Sequence, residues 1–139
     1  MIYIENAKKS YNSEVEIGPL NIEIPKAGIT SLIGPNGAGK STTLLMIGRL
    51  LDMDDGQINV ANMNVFESKS EDLAKILTIL RQENHFVTRL TVRQLVGFGR
   101  FPYSKGRLTK DDEVIISKYI DFLDLSHLEN RYLDELSGG

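Results

Sequence analysis

The stretch Gly28-Ile-Thr-Ser-Leu-Ile-Gly-Pro-Asn-Gly-Ala-Gly-Lys-Ser-Thr-Thr43 decides how this chain folds. Within it, Gly34 to Ser41 is a complete Gly-x-x-x-x-Gly-Lys-[Ser/Thr] phosphate-binding loop. The apolar run 28–33 ahead of the loop reads as a buried strand. Lys40 to Ile47 behind it reads as a helix that starts inside the motif. Gly34, Gly37 and Gly39 permit backbone angles closed to residues with a side chain, so successive amide N–H groups can turn inward on one anion. The helix adds the positive end of its dipole, Lys40 can reach the β- and γ-phosphates, and the Ser41 hydroxyl can serve as a Mg²⁺ ligand. The candidate nucleotide contacts are therefore Gly34, Pro35, Asn36, Gly37, Ala38, Gly39, Lys40, Ser41 and Thr42.

Composition sets the bounds. The chain has 139 residues, 41% hydrophobic and 25% charged, which is the make-up of a small globular domain. A net charge of −3 offers no basic surface for nucleic acid, and the lack of cysteine excludes disulfides and thiolate metal sites. Met1-Ile-Tyr-Ile4 has no basic and then apolar leader pattern, and no apolar run approaches the roughly 20 residues that cross a bilayer. A cytoplasmic protein is expected.

Around the loop, Ile2 and Ile4, and then Val15, Ile17, Leu20, Ile22 and Ile24, are spaced by polar residues, which predicts an antiparallel β region with turns at Asn12-Ser13 and Gly18-Pro19. Residues 52–56 read as a turn, Gln57 to Val60 as a short strand, and Ser68-x-x-Glu71 as a capping box opening a brief helix. Ile76 to Leu80 reads as a compact apolar strand. Beyond it the pattern is helical, with Thr91-x-x-Gln94 capping one segment and Thr109-x-x-Asp112 another, in which Ile115, Tyr119, Phe122 and Leu123 share a face. The acidic Asp111, Asp112 and Glu113 suit a helix N-terminus. His85 and His127 have no partner at metal-ligand spacing and read as surface or packing residues.

Taken in order, these features resemble the ATP-binding subunit of ATP-binding cassette (ABC) transporters, along the whole chain. The resemblance implies that Tyr11, upstream of the loop, stacks on adenine. It implies that Gln82, after the apolar strand, is the glutamine that coordinates Mg²⁺ or the attacking water and links the site to the membrane partner. Leu136-Ser-Gly-Gly139 is similar to the start of the family's signature motif, so Ser137, Gly138 and Gly139 are implied contacts for the nucleotide of a second subunit. Leu90-Thr-Val-Arg-Gln-Leu-Val-Gly-Phe-Gly-Arg-Phe-Pro-Tyr103 resembles the helical subdomain of importers for iron-siderophores, haem and cobalamin. An unrelated P-loop kinase or GTPase is disfavoured by Tyr11, Gln82 and the partial signature occurring together.

The resulting expectation is an α/β fold: a P-loop NTPase core of the ABC ATPase kind, incomplete, with an N-terminal antiparallel β region and a helical subdomain. Residues 1–84 would hold the β region and loop, and 85–139 the helical subdomain. The implied cofactors are ATP and Mg²⁺. The implied partners are transmembrane permease subunits and a second copy of the subunit, with the protein peripheral on the inner face of the membrane. The metal-binding aspartate, the catalytic glutamate and the switch histidine of the family's pattern do not occur up to Gly139. Hydrolysis needs acidic Mg²⁺ ligands and a group that orients water, so residues 1–139 are expected to bind ATP without turning it over, as a truncated form of a longer cassette. Leu32, Ile33, Leu44, Leu45 and Ile47 are expected to be left exposed, with the open edge hidden by self-association or strand exchange.

Overall fold

The computed structural model describes residues 1–80 and 89–136. The chain divides into two units, Met1–Ile79 and Leu80–Gly139.

In the first unit the alternation becomes a hairpin of β1 (Ile2–Ser10) and β2 (Glu16–Ile24), with Ile2 opposite Ile24 and Ile4 opposite Ile22. Asn12 closes the connection, its Oδ1 accepting from the N–H groups of Glu14 at 2.9 Å and Val15 at 2.8 Å. An Asx side chain thus replaces a backbone turn bond. β3 (Asp55–Val60) pairs with the other edge of β1, and the two-residue β4 (Met63–Asn64) completes an antiparallel sheet in the order β2-β1-β3-β4. Gly18-Pro19 lies inside β2 and is no turn. A Cβ on Gly18 would stand 2.3 Å from the Ala7 carbonyl oxygen, so glycine there lets β2 press against β1 where their register shifts. Asp55 and Gly56, expected in a turn, already belong to β3.

Helix α1 (Lys40–Ile47) starts inside the loop, as the motif requires. Its Met46 and Ile47 join Ile4, Ala7, Ile58, Val60, Val65 and Leu73 in one apolar cluster. Burying a large side chain of this kind contributes about 1.5–3 kcal/mol, so the cluster fastens the helix that carries Lys40, Ser41 and Thr42 to the sheet. Ile47, expected to be exposed, is part of that core, while Ile33 and Leu44 are exposed and Leu32 and Leu45 half-buried.

Two expected strands do not form. Among the described residues, 28–33 enters no ladder, and Ile29 and Ile33 are 98% and 94% exposed. Residues 74–76 are a turn and 77–80 have no regular structure. A strand is defined by its hydrogen-bonded neighbours, and an apolar run predicts burial without supplying them. Helix α2 (Ser70–Leu73) follows Lys69 with no side-chain cap, so the expected box at Ser68 is absent. Ser68 instead offers its carbonyl oxygen to Arg49 Nη1 at 2.8 Å, and the Ser70 hydroxyl accepts from Arg49 Nη2.

The second unit contains α3 (Val92–Phe98), α4 (Phe101–Ser104) and α5 (Lys110–Phe122). Both capping boxes expected here form: Thr91 with Gln94, and Thr109 with Asp112, each with the two reciprocal hydrogen bonds. Gly99 ends α3, while Pro102 sits in the first turn of α4, where its missing N–H costs nothing. The buried face of α5 carries Asp112, Ile116 and Ile120, whereas Tyr119, Phe122 and Leu123 of the expected face are exposed. Both stripes obey helical spacing, and polar pairing selects between them. Glu113 meets Arg93 of α3 at 2.5 Å, and Asp112 meets Arg100 at 2.8 Å, which turns the Ile116 side inward. Among the described residues, no helix is long and apolar enough to cross a membrane.

Candidate nucleotide-binding site

The loop 34–41 is shaped by two glycines rather than three. Gly37 and Gly39 have φ of 83° and 82°, in the left-handed region, while Gly34 keeps an ordinary negative φ. Gly39 is also the N-cap of α1 and brings no side-chain acceptor. The first-turn N–H groups of α1 therefore have no capping side chain, the condition under which a helix start receives an anion. Glycine at this position is required twice over, since a Cβ would lie 2.6 Å from Ile17 Cγ2 on β2. Motif reading misses Ile17 altogether, because nothing in the spacing links a β2 residue to a loop 22 positions later.

Lys40 folds back over its own loop. Its Nζ donates to the carbonyl oxygens of Gly34 at 2.9 Å and Pro35 at 2.7 Å, and the Ala38 N–H reaches the Pro35 carbonyl oxygen at 3.3 Å. The ammonium is held at the loop by neutral acceptors, and a phosphate would add to the hydrogen bond the attraction of opposite charges. Thr43, which the motif does not include, anchors the helix start from below: it is buried, and its hydroxyl donates to the Gly39 carbonyl oxygen at 2.9 Å. The Ser41 hydroxyl sits exposed at the second residue of α1. Among the described residues, no group of three or more His, Asp or Glu could hold a metal ion. The exposed Ser41 hydroxyl is an oxygen that a divalent cation bound beside a triphosphate could take as one ligand, the rest coming from phosphate oxygens and water.

Tyr11 follows the last residue of β1 and is tied into the hairpin connection by its N–H, which donates to the Val15 carbonyl oxygen at 2.9 Å. Its ring is half exposed, and its hydroxyl lies 2.9 Å from Thr42 Oγ1. Tyr11, the loop and Thr42 thus come together within one unit. Gln82, Ser137, Gly138 and Gly139 lie outside the described residues, as does His85.

The second unit is organised by ion pairs. Arg93 binds Glu113 and, at 3.1 Å, Glu129; the Glu113 hydrogen bond holds its guanidinium above the usual arginine range. The Thr109 backbone N–H and then the Arg100 guanidinium hold the Asp112 carboxyl down at about 2. Arg100 also lies 4.1 Å above the Tyr103 ring, so the Gly99–Tyr103 element has a structural role of its own. A cavity of about 440 Å³ lies between these helices, walled by Phe98, Phe101, Leu108 and Ile116 among others, and among the described residues none of the nucleotide contacts expected from the sequence lines it.

The ABC transporter family profile matches residues 17–139. Over its whole length the chain is 86% identical to the petrobactin import ATP-binding protein FatE of Bacillus anthracis, of which it covers 56%. It is 44% identical to the petrobactin import ATP-binding protein YclP of Bacillus subtilis (strain 168), of which it covers 55%. Among solved structures, the ATP-binding cassette MJ1267 of an ABC transporter is 30% identical with a TM-score of 0.73, the match covering 99% of this chain and 59% of that one. The dimeric structure of the bacterial ABC transporter cassette MJ0796 is 25% identical with a TM-score of 0.78, covering 99% and 64%. The chain spans about half the length of the curated relatives it matches.

Proposed function

The chain belongs to the ABC transporter family, and on that premise we propose that the protein is the ATP-binding subunit of an importer for iron-siderophore complexes. The observation that carries this is the loop itself: Gly37 and Gly39 in left-handed conformation, an α1 start without a capping side chain, and Lys40 held over the loop by two neutral carbonyl oxygens. Relatives named for petrobactin import support the solute class. In this reading ATP binds with its phosphates in the loop and its base against Tyr11. Mg²⁺ would accompany the triphosphate, with Ser41 and Gln82 as the residues that would hold it, and would supply neutralisation of charge on the phosphoryl group. Ser137, Gly138 and Gly139 face the nucleotide of a second copy, and the pair drives a transmembrane permease from the cytoplasmic side.

Two measurements test this. Iron-siderophore uptake in cells deleted for the gene is expected to return with the wild-type protein and not with Lys40→Ala. Full restoration by Lys40→Ala, or binding that strongly prefers GTP over ATP, would overturn it.

A further inference from the structure

Tyr11 carries two chemically separate groups, and stacking uses only its ring. The hydroxyl lies 2.9 Å from Thr42 Oγ1. Thr42 is the third residue of α1, so this contact joins the end of β1 to the helix turn that faces the loop. The next residue shows what Thr42 would do without it. A helical threonine divides between two χ1 rotamers because its hydroxyl can turn back onto the carbonyl three or four residues earlier. Thr43 does so, bonding the Gly39 carbonyl oxygen at 2.9 Å. Thr42 turns its hydroxyl to Tyr11 instead.

Either hydroxyl can donate across this contact. A phenolic O–H is the stronger donor of the two kinds, and with Tyr11 donating and Thr42 accepting, the Thr42 proton is left for a second acceptor. Resting on the nucleotide-binding reading above, we propose that Tyr11 is a positioning residue for phosphate as well as a platform for the base. Its hydroxyl holds Thr42 in the rotamer from which Thr42 donates to an anionic oxygen in the loop 34–41.

Inorganic tripolyphosphate, which has no base to stack, separates the two roles. Calorimetric titration of the full protein with Mg-tripolyphosphate and with MgATP is expected to show Tyr11→Phe binding both more weakly, by about three- to ten-fold, the scale of one hydrogen bond. Thr42→Val should lose a similar factor, the double variant little more than either single one, and Thr42→Ser should retain wild-type affinity. Wild-type binding of tripolyphosphate by Tyr11→Phe would overturn the proposal, as would losses that simply add in the double variant. Lys40→Ala keeps the two readings apart. If it binds tripolyphosphate as well as the wild type does, the loop reading fails. If it loses binding while Tyr11→Phe does not, only the positioning role fails.

Discussion

Lys40 donates from its Nζ to the carbonyl oxygen of Gly34, six residues back along its own loop, at 2.9 Å. With the Pro35 carbonyl oxygen at 2.7 Å as a second acceptor, the ammonium is oriented before any phosphate arrives. Part of the ordering entropy of a long side chain is thereby spent in folding rather than in binding. Replacing Lys40 by alanine is expected to weaken ATP binding by about 1.5–3 kcal/mol, roughly ten- to a hundred-fold. Equal affinity of the two proteins in calorimetry would remove Lys40 from the site.

Gly39 should tolerate no side chain. Its φ of 82° and the 2.6 Å approach of Ile17 Cγ2 to a virtual Cβ are separate penalties. Gly39→Ala is expected to destabilise the protein by about 1–3 kcal/mol in urea titration. Adding Ile17→Ala in that background should relieve the clash but leave the strained backbone, so the cycle of the two single variants and the double one measures the contact. An unchanged urea midpoint for Gly39→Ala would show that the left-handed conformation is not required.

The N-terminus of α5 should report on acid. Asp112 is held at about 2, below its ordinary 3.8, so the folded state favours the carboxylate. Its contribution is present above about pH 4 and is lost as the pH falls from there towards about 2. The acid side of the stability profile is expected to be flatter for Asp112→Asn than for the wild type in that window. The cap itself is tested by Thr109→Ala, expected to cost about 1 kcal/mol. Parallel profiles for the wild type and Asp112→Asn between about pH 2 and 4 would contradict the assignment.

The face of α5 that carries stability can be found by truncation. Ile120 is 1% exposed and Phe122 80% exposed. Ile120→Ala is expected to cost about 2–5 kcal/mol, and Phe122→Ala to stay within about 0.5 kcal/mol of the wild type. A reversal of that order by denaturant titration would restore the Tyr119–Phe122 face to the core.

Much of the site was legible because its signals are local. The glycine and lysine spacing of 34–41 implies a loop that ends in a helix start, and α1 begins at Lys40. The boxes at Thr91 and Thr109 close within four residues, and the alternation from Ile2 to Ile24 needs only a two-residue period. The reading at Ser68 failed although it had the same spacing: α2 starts at Ser70 after Lys69, and Arg49, about 20 residues away, takes the Ser68 carbonyl oxygen and the Ser70 hydroxyl.

By itself, then, the sequence determined the helix behind the loop 34–41 and the antiparallel pairing ahead of it, since each follows from backbone angles or periodicity over a few residues. Only the tertiary structure decided that Ile17 backs Gly39, that the Tyr11 hydroxyl meets Thr42, that 28–33 has no ladder partner among the described residues, and that Ile116 and Ile120 rather than Tyr119 and Phe122 are buried on α5. Periodicity tells which residues share a face. What that face meets depends on contacts between segments far apart in the chain, and those exist only once the chain has folded.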